Sequence, residues 1–358
     1  MKRQAVFIVI LLGLVIGIQL LTSWTDTQYY LTQLTMAAYY SLVIIGLSVL
    51  MGYAGQISIG HAGFFAIGGY ISAGLTTRSL MPWQDTPFVQ ILSKLGMLIS
   101  TQDLYGEQLL VATPWVACLV AVFSAAFIAF ILGIPVLKLK GHYLAMATLG
   151  FGIVIYRVVL ASEYFGEADG ISDVLGFTIF PEVAGIGPLT VSGDFSHRVE
   201  NYYIAWGLLI FGLILLLNLI DSRVGRALRS IHGSEEASEA MGVNTSRFKL
   251  YVFVLSAVYA AIAGIFLTHY NGGIGPSEAG VMKSVRYVAL VAVGGMANLW
   301  GTLIAGVTLT FLSLRGVFGS YDDAVFGTIL IVIMLFAPEG ILSLRIKNIF
   351  SRKKQTDK

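Results

Sequence analysis

Ten apolar segments follow one another along the chain, at about 5–22, 31–51, 57–75, 110–134, 143–160, 202–220, 249–268, 286–298, 301–314 and 324–338. Most approach the ~20 residues a helix needs to cross a bilayer, and their apolar residues run on without the period-two alternation of a barrel strand. The pattern predicts an all-α membrane protein of about ten transmembrane helices and disfavours a β-barrel. The polar supply agrees. Only 12% of the 358 residues are charged, about half the ~25% of a soluble domain. That is too little to cover a water-soluble globule of this size, which excludes a soluble enzyme, a disordered chain and a nucleic-acid binder. Cys118, the single cysteine, lies in an apolar run and gives no disulfide framework within the chain.

Lys and Arg set the orientation. With ten spans and the N-terminus inside, the inner set is Lys2, Arg3, Lys138, Lys140, Arg223, Arg226, Arg229, Arg247, Lys249 and the six from Arg345 to Lys358, fifteen of the 22. The outer set is Arg78, Lys94, Arg157, Arg198, Lys283, Arg286 and Arg315. Both termini are therefore assigned to the cytoplasm. The parity requires a tight hairpin between the eighth and ninth segments, at Asn298-Leu299-Trp300-Gly301, instead of one long kinked helix. The first segment is read as a retained helix, since no A-x-A cleavage site follows its long apolar run. One membrane domain spans 1–358, with bulky outer loops at 78–109 and 161–200 and an inner loop at 221–248.

The inner loop is the most informative polar stretch. Ser234 is a good N-cap, Glu235 and Glu236 in the first turn suit the helix dipole, and Gly242 suits the position after the last turn. A helix over 235–241 is predicted on the cytoplasmic face. At that length it is unstable alone and must pack on its own bundle or dock a partner.

The segment Glu236-Ala237-Ser238, three residues, then Gly242 resembles the EAA-x3-G coupling loop of bacterial ABC-importer permeases. Its flanks, Ser222 to Leu228 and Arg247 to Leu250, resemble the LivM-type permeases of branched-chain amino acid importers. So do Gly55-Gln56-Ile57-Ser58-Ile59-Gly60-His61-Ala62-Gly63 and on to Tyr70, Tyr143 to Gly150, Gly294 to Gly301, and Phe336-Ala337-Pro338-Glu339-Gly340. The resemblance covers about 30–343. Two places depart from the pattern: 166–170 reads Gly-Glu-Ala-Asp-Gly where a Thr-Gly-Gly-like turn is expected, and His232 stands where an Arg often precedes the acid pair.

The resemblance implies a single transmembrane permease domain that moves branched-chain amino acids across a bacterial inner membrane by alternating access. Glu235, Glu236, Ala237 and Gly242 would couple it to ATPases. It implies four kinds of partner: a second permease of the same family, two cytoplasmic ATP-binding subunits, an extracytoplasmic substrate-binding protein, and membrane lipid. No cofactor is expected on this chain, ATP being held by the partner subunits. Independently, a Walker A loop needs a Gly-Lys pair, and none occurs here. Urea, short amides or other amino acids are alternative cargoes. An ion-coupled secondary transporter would want a carboxylate within a span, and no Asp or Glu stands in the middle of one. A membrane enzyme would want metal or nucleophile–base spacing, which the spans lack.

Within the membrane, the glycines from Gly52 to Gly74 suit close helix packing. Gln56, Ser58 and His61 differ, because polar side chains at membrane depth either pair or line a wet path. They are candidates for the translocation path or its inner gate, and His61 reads equally as a hydrogen-bonded structural histidine. A second small-polar stretch, Asn271 to Gly280, lies outside after the seventh span. If spans 1–5 and 6–10 are inverted repeats, spans 3 and 8 correspond, each preceded by such a stretch on opposite faces. Arg157, Lys283 and Arg286 read as flanking residues that snorkel. Glu278 and the acidic outer loop read as a solvated face or a surface for a binding protein.

Overall fold

The computed structural model describes residues 2–102, 106, 108–139, 141–180 and 189–336. Among them each apolar segment meets a helix: α1 Lys2–Trp24, α2 Tyr29–Ala54, α3 His61–Thr77, α5 Pro114–Val136, α6 His142–Ala161, α7 Arg198–Asp221, α10 Thr245–Asn271, α11 Val281–Gly294, α12 Leu299–Leu314 and α13 Asp322–Phe336. Seven of these regions are long and apolar enough to cross a membrane: α1, α2, α5, α6, α7, α10 and α13 with the turn before it. The remaining three, α3, α11 and α12, have 17, 14 and 16 residues. The protein is an all-α, multi-pass membrane protein.

The expected hairpin between the eighth and ninth segments is present, with its turn earlier than expected. α11 stops at Gly294 because Gly295 takes a positive φ of 94°, and Asn298 starts α12 by accepting the Gly301 N–H at 3.1 Å. The two helices then touch so closely that a Cβ on Gly294 would lie 2.3 Å from the Thr302 Cα.

α2 and α10 form the centre. α2 is buried almost throughout from Leu31 to Ala54, whereas α1 and α13 bury little and leave Val9, Leu20, Ile331 and Phe336 exposed for lipid or a partner. α10 crosses α3 in backbone contact: a Cβ on Gly68 would lie 2.3 Å from the Ala261 carbonyl oxygen, and one on Gly264 2.1 Å from that of Phe65. Here the small residues do what sequence suggests for them, letting two backbones meet.

Packing follows one plan in both halves. α2 packs on α12 as α10 packs on α5; α3 packs on α5 and α6 as α11 packs on α12 and α13; α3 meets α10 as α11 meets α2.

Side assignments from charge are consistent with contacts. At the outer ends, Arg78 after α3 donates to the Glu163 and Tyr164 carbonyls after α6, each at 3.0 Å, and Ile171 bridges to Ile274. At the inner ends, Lys249 pairs with Glu235. Lys140, the Ala337-to-Gly340 end of the last motif and the cationic tail from Arg345 to Lys358 lie outside the described residues.

The loops hold more structure than expected. The 78–109 segment carries α4 Pro87–Lys94 and strand β1 Leu98–Gln102, which pairs antiparallel with β2 Gln108–Ala112. The 161–200 segment carries the antiparallel pair β3 Phe177–Phe180 and β4 Leu189–Val191. The inner loop holds two helices, α8 Arg223–Gly233 and α9 Glu235–Ala240.

Candidate functional site: two helix breaks and a cytoplasmic helix pair

The inner break starts where α2 ends. Gly55 adopts φ 66° and returns its N–H to the Leu50 carbonyl, a left-handed cap that a glycine takes without steric cost. The chain then runs unwound to Gly60, which opens α3. Unwound backbone at this depth is tolerated because protein buries and satisfies it. The Ile59 N–H donates to Thr148 Oγ1 at 3.0 Å, and the Ala62 N–H to Ser284 Oγ at 3.1 Å.

Ser58 and His61 come together here and are fully buried. Ser58 Oγ lies 3.0 Å from His61 Nδ1, and His61 Nε2 lies 2.7 Å from Ser256 Oγ on α10. Phe64 and Phe253 meet the ring edge to face. In this conformation His61 is a hydrogen-bonded strut between α3 and α10 and lines no open path. Gln56 stands apart from that pair. It is 3% exposed, and neither its Nε2 nor its Oε1 has a hydrogen-bond partner among the described residues.

A second histidine, not singled out from sequence, repeats the device one-half of the helix away. His269 Nε2 lies 2.8 Å from Ser72 Oγ, again joining α10 to α3, while Nδ1 donates to the Leu175 carbonyl at 2.6 Å. The available signal was a histidine in an otherwise apolar run.

The outer break opens as the inner one does, on a left-handed glycine, but is longer. Gly272 adopts φ 66° after α10, a 3-10 turn covers Pro276–Ala279, and Gly280 opens α11. Its side chains are charged. Lys283 Nζ lies 2.8 Å from Glu278 Oε1 and donates to Tyr40 Oη at 3.1 Å, and Tyr40 donates to Glu278 at 3.2 Å. Arg286 pairs with Asp322 at 2.8 Å and Asp323 at 3.0 Å and covers the Phe326 ring. Lys283, Arg286 and Glu278 are thus neither snorkelling flanks nor a solvated face. They are part-buried partners, because the break brings Glu278 back over α11 and the turn before α13 presents Asp322. Nearby, a cavity of about 730 Å³ opens among the outer loops beside Thr76, Arg78, Asp173 and Asp194.

In the 221–248 loop, Ser222 caps α8 by accepting the Val224 N–H at 3.1 Å, and Leu228 and Ile231 bury one face while Arg223, Arg226 and Arg229 stay exposed. α9 forms as the sequence predicts. Ser234 accepts the Ala237 N–H at 3.2 Å, and Gly242 closes the helix with φ 83°. The four coupling candidates divide. Glu235 faces inward, ion-paired with buried Lys249, while Thr245 donates to Glu239. Glu236, Ala237 and Gly242 are exposed, as are Ala240 and Met241, and a Cβ on Gly242 would meet nothing within 4 Å. Gln56 and Glu235, far apart in sequence, line one small inner cavity with His232.

The family comparison agrees with a multi-pass membrane protein built on a central pair of helices. The chain belongs to the family described as branched-chain amino acid transport system / permease component, whose model matches residues 29–335. It is 28% identical over 365 positions to the high-affinity branched-chain amino acid transport system permease protein LivM of Escherichia coli K12, covering 97% of this chain and 78% of that protein. It is 26% identical over 323 positions to LivH of the same strain, covering 88% of this chain and 96% of LivH. BraD of Pseudomonas aeruginosa is 25% identical over 325 positions, covering 88% of this chain and 97% of BraD. No solved structure matches the chain.

Proposed function

We propose that the chain is one of two permease subunits of an ATP-driven importer, carrying branched-chain amino acids inward by alternating access. The observation that carries this reading is α9. A helix of six residues, capped at both ends, holds Glu236, Ala237, Ala240 and Met241 out from the cytoplasmic face, uncovered among the described residues. Glu235 anchors that helix to α10 through Lys249, so a push on its outer surface reaches the centre of the bundle. Glu236, Ala237 and Gly242 form the surface for two cytoplasmic ATP-binding subunits. ATP stays on those subunits, and this chain contributes no catalytic group.

The left-handed glycine that opens each break and the parallel helix neighbours of α3 and α11 support reading α1–α6 and α7–α13 as inverted five-helix repeats. The movement then opens one break while closing the other. Gln56, Ser58 and His61 belong to the inner gate. The outer loops and their cavity face an extracytoplasmic substrate-binding protein. A second permease and membrane lipid cover the exposed apolar faces.

Co-purification from mild detergent, followed by uptake in proteoliposomes, tests the reading. The expected result is retention of two Walker-A ATPases and a second permease, with ATP-dependent uptake of leucine, isoleucine and valine. Uptake of urea or short amides in preference to these would overturn the cargo. A lone chain that moves solute on an ion gradient would overturn the whole assignment.

A further inference from the structure

α1 and α12 touch near the start of each helix and part near the end of each. At the first place the Phe7 and Trp300 rings stand 5.6 Å apart. At the second the helices leave a groove of about 440 Å³. Ile18 and Thr22 of α1, Leu34 of α2, and Phe311, Leu312 and Val317 in and beyond α12 make its walls. Thr22 adds little polarity, since its hydroxyl donates to the Gln19 carbonyl of its own helix at 2.9 Å. The groove has the volume of about fifteen waters at ~30 Å³ each, far more than one small anion fills. Ile18 and Thr22 lie within the last two turns of α1. Beside them Trp24 is 86% exposed and Tyr29 is exposed, the amphipathic rings that gather at a membrane surface.

Arg315, which follows α12, is the one charged residue lining this groove. Its guanidinium lies 4.5 Å from the centre of the Tyr30 ring and 5.7 Å from that of Tyr29, and donates to Tyr30 Oη at 3.4 Å. It is exposed and has no ion-pair partner among the described residues. Asp322 and Asp323, the next acids along the chain, are both held by Arg286, and Asp26, in the turn before α2, forms no ion pair with Arg315. Two tyrosine rings thus fix the plane of a guanidinium whose N–H fork matches two phosphate oxygens. The apolar walls offer nothing to a hydrated anion, and a plain hydrocarbon has no use for the cation. Together they complement a molecule with a phosphate at one end and a hydrocarbon chain at the other.

We propose that this groove is a binding site for one glycerophospholipid of the outer leaflet. Its phosphate lies on Arg315, and one acyl chain runs between α1 and α12 against Ile18, Leu34 and Phe311. The lipid fills the gap that the protein leaves between these two helices and ties α1 to the bundle at that end. The site depends on no assignment of cargo or energy source, so it stands or falls apart from the importer reading.

The test is photo-crosslinking of the full-length chain in vesicles of a phosphate-free galactolipid that carry a minor fraction of dioleoylphosphatidylglycerol. The photoreactive p-benzoylphenylalanine replaces Phe311 on the groove wall and, separately, Phe123, which is exposed on α5 outside the groove. Mass spectrometry identifies the lipid attached. Adducts at Phe311 are expected to be enriched several-fold in the phospholipid over its share of the vesicle, while those at Phe123 follow that share. Arg315→Gln should bring the Phe311 adducts down to the vesicle ratio. If the Phe311 replacement fails to accumulate, Leu312 carries the probe. The vesicle ratio at both positions would overturn the site, as would enrichment that survives Arg315→Gln. Loss of the enrichment on adding inorganic phosphate would make Arg315 a site for a free anion and overturn the lipid. A crosslink from the groove to a polypeptide, a second copy of this chain included, would give the groove to a protein and overturn it as well.

Discussion

The two helix breaks open alike and differ in what holds them. Both begin with a glycine at φ 66° and end with a glycine that opens a helix. The inner one is held by neutral hydrogen bonds, Ser58 to His61, His61 to Ser256, and Ile59 to Thr148. The outer one is held by ion pairs, Glu278 to Lys283 and Arg286 to Asp322. Burial accounts for the difference. Ser58 and His61 are buried almost completely, where an ion pair loses more hydration than it regains. The outer pairs keep 20–24% of their side chains exposed, so they hold charge at a smaller desolvation cost. The same opening glycine thus precedes two chemistries, and the two breaks should respond to different perturbations.

Removing His61 should have the largest effect. His61→Leu orphans the Ser58 and Ser256 hydroxyls in a closed site, at roughly 1–3 kcal/mol each, and thermal unfolding in detergent should show a clear drop. The outer equivalent is Lys283→Met, which leaves Glu278 with Tyr40 alone. Because that site is part-exposed, the loss should be nearer ~1 kcal/mol. It should shrink as salt is raised on wild type and variant together, whereas the His61→Leu loss should not. Equal salt sensitivity at both breaks would erase the distinction.

Third, Gly55→Ala and Gly272→Ala should share a strain of about 1–2 kcal/mol from the left-handed backbone. Gly55→Ala should cost more, because its Cβ would lie 2.8 Å from His232 Nδ1 while the one on Gly272 meets nothing within 4 Å. Smallest in stability is Glu236→Ala on the exposed side of α9, expected within ~0.5 kcal/mol of wild type.

Much of this architecture was legible in the sequence. Apolar runs gave every long helix, since a bilayer makes length and hydropathy sufficient signals. α9 was legible to within a residue because Ser234 and Gly242 are strong local stop and start signals. α8 was not, since its apolar side is only Val224, Leu228 and Ile231 among three arginines, and it folds by packing under α2 and α7. The loop hairpins were missed for a related reason: β1 to β4 are three to five residues long and carry little alternation.

For the site, sequence singled out Ser58 and His61 but not Ser256 or His269, because pairing across α3 and α10 depends on where two helices cross. It treated Glu235 and Glu236 alike, although one helical step turns Glu235 toward Lys249 and Glu236 toward water. Lys283, Arg286 and Glu278 read as separate surface charges for the same reason. Their pairing exists only once α13 and the outer break fold onto α11.

On the importer proposal, ATP-driven motion enters the bundle through the exposed side of α9. Ala237→Arg places a large cation on that surface, where Ala237 is exposed and no neighbouring element of this chain crowds it. ATP-driven leucine uptake by the reconstituted complex, measured beside the amount and thermal stability of the inserted chain, tests the claim most directly. Uptake should be lost while insertion and stability stay at wild-type level. Uptake at the wild-type rate would contradict a docking role for α9.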